Sequence, residues 1–156
     1  MKYLFVIIIL SFLSCNRTRE ITVYDQIDFL NVQKSYDKLT VIDTVCINGR
    51  KRAKLEIKNN QLTYSISSSD AYGTELSELL KKHNINLKRR GFTDIAPPEG
   101  FENYCYENLM LEEIINKFGN KFLDSITSVA EKNYVLKNPN EPYIKDGRDL
   151  RNIYIQ

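Results

Sequence analysis

The chain has 156 residues, with 22 Lys and Arg against 20 Asp and Glu, one His, 42% hydrophobic residues and no Trp. That balance suits one ordinary globular domain, and it excludes both long disorder and a nucleic-acid binder working through bulk positive charge. A domain near this size buries roughly two-thirds of the surface its unfolded chain exposes, so a real core is within reach.

The hydrophobicity is unevenly spread, because residues 1–14 hold one charge, Lys2, and an unbroken apolar run from Leu4 to Leu10 followed by Ser11, Phe12, Leu13 and Ser14. A spanning helix needs about 20 apolar residues, and this run stops well short before Asn16, Arg17 and Arg19. The order of charge, apolar run and small residue predicts a signal peptide over residues 1–14. Phe12-Leu13-Ser14-Cys15 resembles the lipobox of bacterial lipoproteins, in which a small residue precedes the cysteine that becomes the lipidated first residue of the mature chain. Ser14 and Cys15 match that pattern, while Phe12 stands where leucine is usual. The resemblance implies a diacylglyceryl group on Cys15, a third acyl chain on its new amino terminus, and attachment to a membrane through that lipid. Two or more chains hold durably because each buried methylene contributes roughly 0.8 kcal/mol. No acidic run like those resembling surface-export tags follows Cys15, so the expected location is the outer membrane, facing the periplasm.

Residues 15–37 read as the lipidated cysteine, a tether and a docking segment, in which Ile21, Val23, Ile27, Phe29, Leu30 and Val32 suit a strand or a short helix. Residues 38–156 read as a single α+β domain. Leu39, Val41, Asp43 and Val45 alternate with Thr40, Ile42, Thr44 and Cys46, then Asn48-Gly49 precedes the alternating Ala53, Leu55 and Ile57. Asn-Gly between alternating runs is a strong hairpin signal, since a type I′ turn needs positive φ at both central residues. Asn59-Asn60 marks a second turn before Leu62, Tyr64 and Ile66. The expectation is therefore a small antiparallel sheet, a three-stranded meander plus a C-terminal strand over Asn152 to Ile155, packed against two or three helices.

Leu76, Leu79, Leu80 and His83 share a helical stripe behind Thr74 as N-cap, and Ser67-Ser68-Ser69 makes a polar exit from the strand before it. Residues 91–104 form a connection containing Gly91, Pro97, Pro98 and Gly100. Met110, Ile114, Ile115 and Phe118 make a second helical stripe, and Phe122, Ile126, Val129 and Ala130 a third, with Gly119-Asn120 breaking between them. Asn138 to Pro142 ends the helical part, and Asp146-Gly147 makes another turn.

In an oxidising compartment Cys46 and Cys105 remain as an even pair once Cys15 is committed to lipid, and a disulfide is the expectation, with two separate buried thiols as the alternative. It would close a loop of about 60 residues, contributing on the order of 4 kcal/mol in a chain-entropy account. With one His, no Cys-x-x-Cys and no His-x-x-x-His, no metal site is expected, and no cofactor motif is present. His83 and Glu78 are five residues apart, off a shared helical face, and Glu112-Glu113 point about 100° apart on a helix, so no catalytic residues are assigned.

Two segments stand out as interaction candidates. Lys81, Lys82, Lys88, Arg89 and Arg90 form the densest charge feature, with no acid between Lys81 and Arg90. Phe101, Tyr104 and Tyr106 sit with Phe92 around the Pro-Pro connection that Cys105 would pin, a setting suited to recognition. The function these features favour is a lipid-anchored periplasmic envelope protein acting as a protein-interaction or accessory module, with an envelope protein as partner. The alternatives are a hydrolase of an envelope polymer, using His83 with Asp43 or Asp70, and a binder of a small apolar ligand.

Overall fold

A computed structural model describes residues 20–32 and 38–155. The expected signal peptide, the lipidated Cys15, the first tether residues and the end of the docking segment lie outside those residues. The described chain is mixed, with helices predominating over three small two-stranded sheets. It divides into two compact units, one holding residues 20–32, 38–44 and 97–101, the other residues 45–96 with 102–155.

In the first unit, β1 (Glu20–Val23) and β2 (Lys38–Val41) pair in parallel, Ile21 opposite Leu39 and Val23 opposite Val41. Where either a strand or a short helix was expected, the segment holds a strand followed by a helix, α1 (Gln26–Val32). Asp25 starts this helix by accepting a 2.8 Å hydrogen bond from the Asp28 amide, which satisfies one of its free first-turn donors. Phe29 meets the ring of Phe101 edge-on at 5.7 Å, and these two with Val23 form a small core. Gly100, at φ 85°, lies against Val41 where any side chain would collide, its Cβ falling 2.9 Å from that of Val41.

The meander is not formed. Lys38–Val41, where the first expected strand begins, is β2, but the end of that strand, the Asn-Gly turn and the second expected strand make one helix, α2 (Thr44–Lys58). Arg50, Lys51, Arg52, Ala53, Lys54, Leu55 and Glu56 are an unbroken run of good helix formers, and the buried pair Cys46 and Ala53 is spaced i, i+7 on one face. Leu55, which supplied the strand alternation, is 60% exposed. The Asn59-Asn60 turn is real but closes a helix. Asn60 adopts φ 58°, Gln61 N–H reaches Glu56 O at 2.8 Å and Asn60 N–H reaches Ile57 O at 2.9 Å, the paired bonds of a Schellman cap.

With α2 helical, the next strand pairs elsewhere. β3 (Leu62–Ser67) runs parallel to β4 (Ile85–Arg90), Leu62 opposite Ile85 and Ser67 opposite Arg90. A parallel pair needs a crossover rather than a hairpin, and α3 (Gly73–Lys81) supplies it. The leucines of the stripe expected on this helix hold, Leu76 and Leu80 fully buried and Leu79 half-buried, while His83 lies beyond the helix end and is exposed. α4 (Cys105–Phe118) packs on β3, and α5 (Phe122–Lys137) packs on α3. Their stripes meet in the core of this unit around Ala53, Met110, Ile114, Ile126 and Ala130. The expected break falls at Gly119, at φ 90°.

The C-terminal part also departs from expectation. β5 (Ile144–Lys145) and β6 (Arg148–Asp149) form a hairpin through Asp146 and Gly147, both at positive φ as a two-residue hairpin turn requires. The expected strand over Asn152 to Ile155 is instead a helical turn, α6 (Arg151–Tyr154). Asp149 drives this by accepting the Arg151 amide at 3.0 Å and its guanidinium at 2.6 Å, which folds the chain back at once. Among the described residues no helix is long and apolar enough to cross a membrane.

Candidate binding cleft

Cys46, in the first turn of α2, and Cys105, the first residue of α4, are joined in a disulfide with Cα atoms 5.2 Å apart. This bond brings two helix starts together beside the end of β4. The result is an open cleft of about 420 Å³, with Val45, Asn48, Gly49 and Arg52 on the α2 side and Lys88 and Arg90 on β4. Glu102, Tyr104, Tyr106 and Glu107 close the third side.

Strand geometry explains the basic wall. Successive side chains on β4 point to opposite faces, so Lys88 and Arg90 share one face while Arg89 takes the other. Arg89 reaches Ser68 O at 3.5 Å and covers Gly73. Arg90 pairs with the Glu107 carboxylate and lies 4.9 Å from the ring centre of Tyr104 and 5.4 Å from that of Phe92. A guanidinium at these distances is attracted by the negative faces of both rings.

The aromatic wall is equally anchored. Tyr104 stands at φ 63° immediately before α4, and its hydroxyl donates to Thr93 O at 2.9 Å. Arg52 lies 4.2 Å from the Tyr106 ring centre and 3.9 Å from the Glu56 carboxylate, to which the Tyr106 hydroxyl donates. Burial first, and then that bond to Glu56, push the Tyr106 phenol above its ordinary pKa. At the outer edge Arg50 and Glu102 pair at 2.6 Å. Lys88 has no ion-pair or hydrogen-bond partner among the described residues.

Of the interaction candidates, Lys88, Arg90, Tyr104 and Tyr106 therefore converge on one cleft. Arg89 faces away, and Lys82 is exposed just beyond α3. Lys81 borders a separate polar recess with Asn59, Asn60 and Asn86. Phe101 is buried in the core of the first unit. Arg52, Asn48 and Glu107 belong to the cleft and escaped the sequence reading. Arg52 was legible only on a helical spacing from Cys46 and Gly49, which the strand reading of that segment concealed.

Two other constellations take structural roles. Cys46, Glu102 and Cys105 gather their ligating atoms within 4.8 Å, but the two sulfurs are bonded to each other and offer no thiolate. His83 is exposed and meets Phe118 and Phe122 edge-on at 5.6 and 4.9 Å. Asp70 is engaged at the end of β3, where its carboxylate accepts the Ser67 amide at 3.0 Å.

No family model matches the chain, and neither the curated proteins nor the solved structures include a significant match to it.

Proposed function

We propose that the chain is a lipid-anchored envelope protein, held through Cys15 at the outer membrane and facing the periplasm, that acts as a protein-interaction or accessory module. The observation that carries the interaction reading is the cleft beside Cys46 and Cys105, where cations are displayed among aromatic rings. Tyr and Arg in a well-supported recess are the side chains that most often anchor protein contacts, because they combine large contact area with oriented hydrogen bonds. The disulfide supports an exported location, since such bonds persist in oxidising compartments.

The hydrolase reading has less support, because the ring neighbours of His83 are phenylalanines rather than a carboxylate that could orient it. A small apolar ligand would favour an enclosed apolar cavity, whereas this cleft is open and carries five charged side chains.

Two measurements test the proposal. Cys15→Ser abolishes acyl-chain labelling and releases the chain from the membrane fraction; continued labelling would sink the anchor. A photo-crosslinking residue at Val45, 72% exposed on the cleft wall, captures a reproducible envelope protein, whereas the same residue at Lys82 does not. Equal capture at both positions would remove the cleft from the interaction.

A further inference from the structure

We infer that the cleft binds an acidic peptide segment of the partner protein, seating a side-chain carboxylate on Lys88 and an adjacent apolar side chain against Val45; the inference rests on the interaction-module reading and supplies its partner chemistry. Two of the cleft's three cations are already satisfied. Arg90 is held by Glu107, and Arg52 by Glu56 and the Tyr106 ring. Lys88 lines the same cleft, is exposed, and has no counter-ion among the described residues. Its ammonium is the charge in the cleft left for an incoming anion.

The two acids on the wall decide which anion. Glu107 pairs with Arg90 and Glu102 with Arg50, so Lys88 is left as a single excess positive charge, which a singly charged carboxylate neutralises, whereas a doubly charged phosphate would leave a net negative charge beside two carboxylates. A cleft of about 420 Å³ also lies at the small end of binding sites, with room for roughly two or three side chains. Val45 is 72% exposed where the cleft opens, and Phe92, 45% exposed, stands 5.2 Å from Tyr104. An acidic residue flanked by an apolar one complements one free cation beside such a rim.

The test is a selection of displayed random heptapeptides on the full chain, run in parallel on Lys88→Glu, Lys88→Gln and, as a control outside the cleft, Lys82→Glu. The Lys88 side chain has no ion pair or hydrogen bond among the described residues for its replacement to break, so the variants are expected to keep the parent thermal midpoint. The expected result is enrichment of peptides pairing Asp or Glu with an apolar neighbour, on the parent and on Lys82→Glu. Re-synthesised winners should lose about tenfold in affinity on Lys88→Gln and more on Lys88→Glu, which adds repulsion. Raising the salt weakens parent binding, and inorganic phosphate at equal ionic strength competes no better than chloride. Enrichment of uncharged or basic peptides, no enrichment at all, or equal binding by Lys88→Glu overturns the acidic-segment inference. If the Val45 crosslink still captures its envelope protein, the interaction reading survives that failure; if that is lost too, both fall.

Discussion

The amide nitrogen of Tyr106, in the first turn of α4, lies 3.5 Å from the point where a Cβ on Gly49 of α2 would stand. Gly49 thus sits in a helix where a second helix start comes close, at the place where the sequence suggests a hairpin turn. A methyl group there would make ordinary van der Waals contact with Tyr106 and Cys105, since all three nearest atoms are 3.5 to 3.9 Å away.

Gly49→Ala is accordingly expected to stabilise the protein. The alanine fits without displacement and restricts the unfolded chain, a gain of about 0.5–1 kcal/mol. Chemical denaturation measures it as a higher midpoint with an unchanged slope. A lower midpoint would mean that the two helix starts leave no room for a methyl group.

Removing the disulfide should have the opposite and larger effect. Cys46 and Cys105 are 59 positions apart, and freeing that loop in the unfolded chain costs about 4 kcal/mol of stability in a chain-entropy account. The double replacement Cys46→Ser with Cys105→Ser should unfold at markedly lower denaturant and open the cleft between α2 and α4. Amide hydrogen exchange in the first turns of both helices would report the opening, and unchanged protection there would assign the cleft's shape to other contacts.

An ion pair with a buried carboxylate fastens the C-terminal hairpin. Glu131 of α5, its side chain 4% exposed, accepts a 2.6 Å hydrogen bond from Lys145 of β5 and a longer one, 3.4 Å, from the Tyr143 hydroxyl. Lys145→Ala leaves that carboxylate in a dry setting with one weak donor, a loss of about 1–2 kcal/mol given that Lys145 itself is half exposed. Glu131→Gln removes the buried charge, so adding it to Lys145→Ala should cost less than its effect alone. A double-mutant cycle measures this, and strict additivity would show that the pair is not coupled.

Stability should also fall in alkali. Burial, and then the Asp70 carboxylate, push the Tyr72 phenol from 10.0 up to about 12. Burial, and then Glu131, raise Tyr143 as well. Both raised values mean that the fold favours the neutral phenol. Below pH 10 the unfolded phenols are protonated too and the contribution is fully present. Above it they ionise first, so stability declines as pH rises toward 12. Unfolding midpoints measured between about pH 9 and pH 11 should drop, and Tyr143→Phe should flatten the drop. A midpoint independent of pH in that window would remove the buried-phenol account.

The elements that could be read directly from the chain are those whose signal is local and strong. Leu76 and Leu80 are fully buried and Leu79 half-buried on one face, so the 3.6-residue period of α3 was plain even though His83, at the end of the expected stripe, is exposed. Asp146-Gly147 takes the backbone conformations those two residues favour, and the turn formed where expected. α2 was illegible for the opposite reason. It buries only Cys46 and Ala53 while Val45, Ile47 and Leu55 are exposed, so its apolar residues carry no helical period and mimic a strand. Lys88, Arg90, Tyr104 and Tyr106 were interaction candidates on two separate segments, but that they share a cleft was not foreseen. Asn48 and Arg52 were lost with the α2 helix, and Glu107 on α4 was missed as well.

By itself the sequence determined the features set by residue type and near-neighbour spacing: a lipobox-like N-terminus, an even pair of cysteines, three helical stripes and a basic segment ending in Lys88, Arg89 and Arg90. Which strands pair, and which of those basic residues work together, was decided only in three dimensions. Strand partners are chosen by whichever surfaces remain once the helices have formed, and α2 removed the hairpin partner that β3 would otherwise have taken. The two-residue alternation of β4 then sent Arg89 away from Lys88 and Arg90, and the covalent bond between Cys46 and Cys105 placed a cleft in front of the pair that remained.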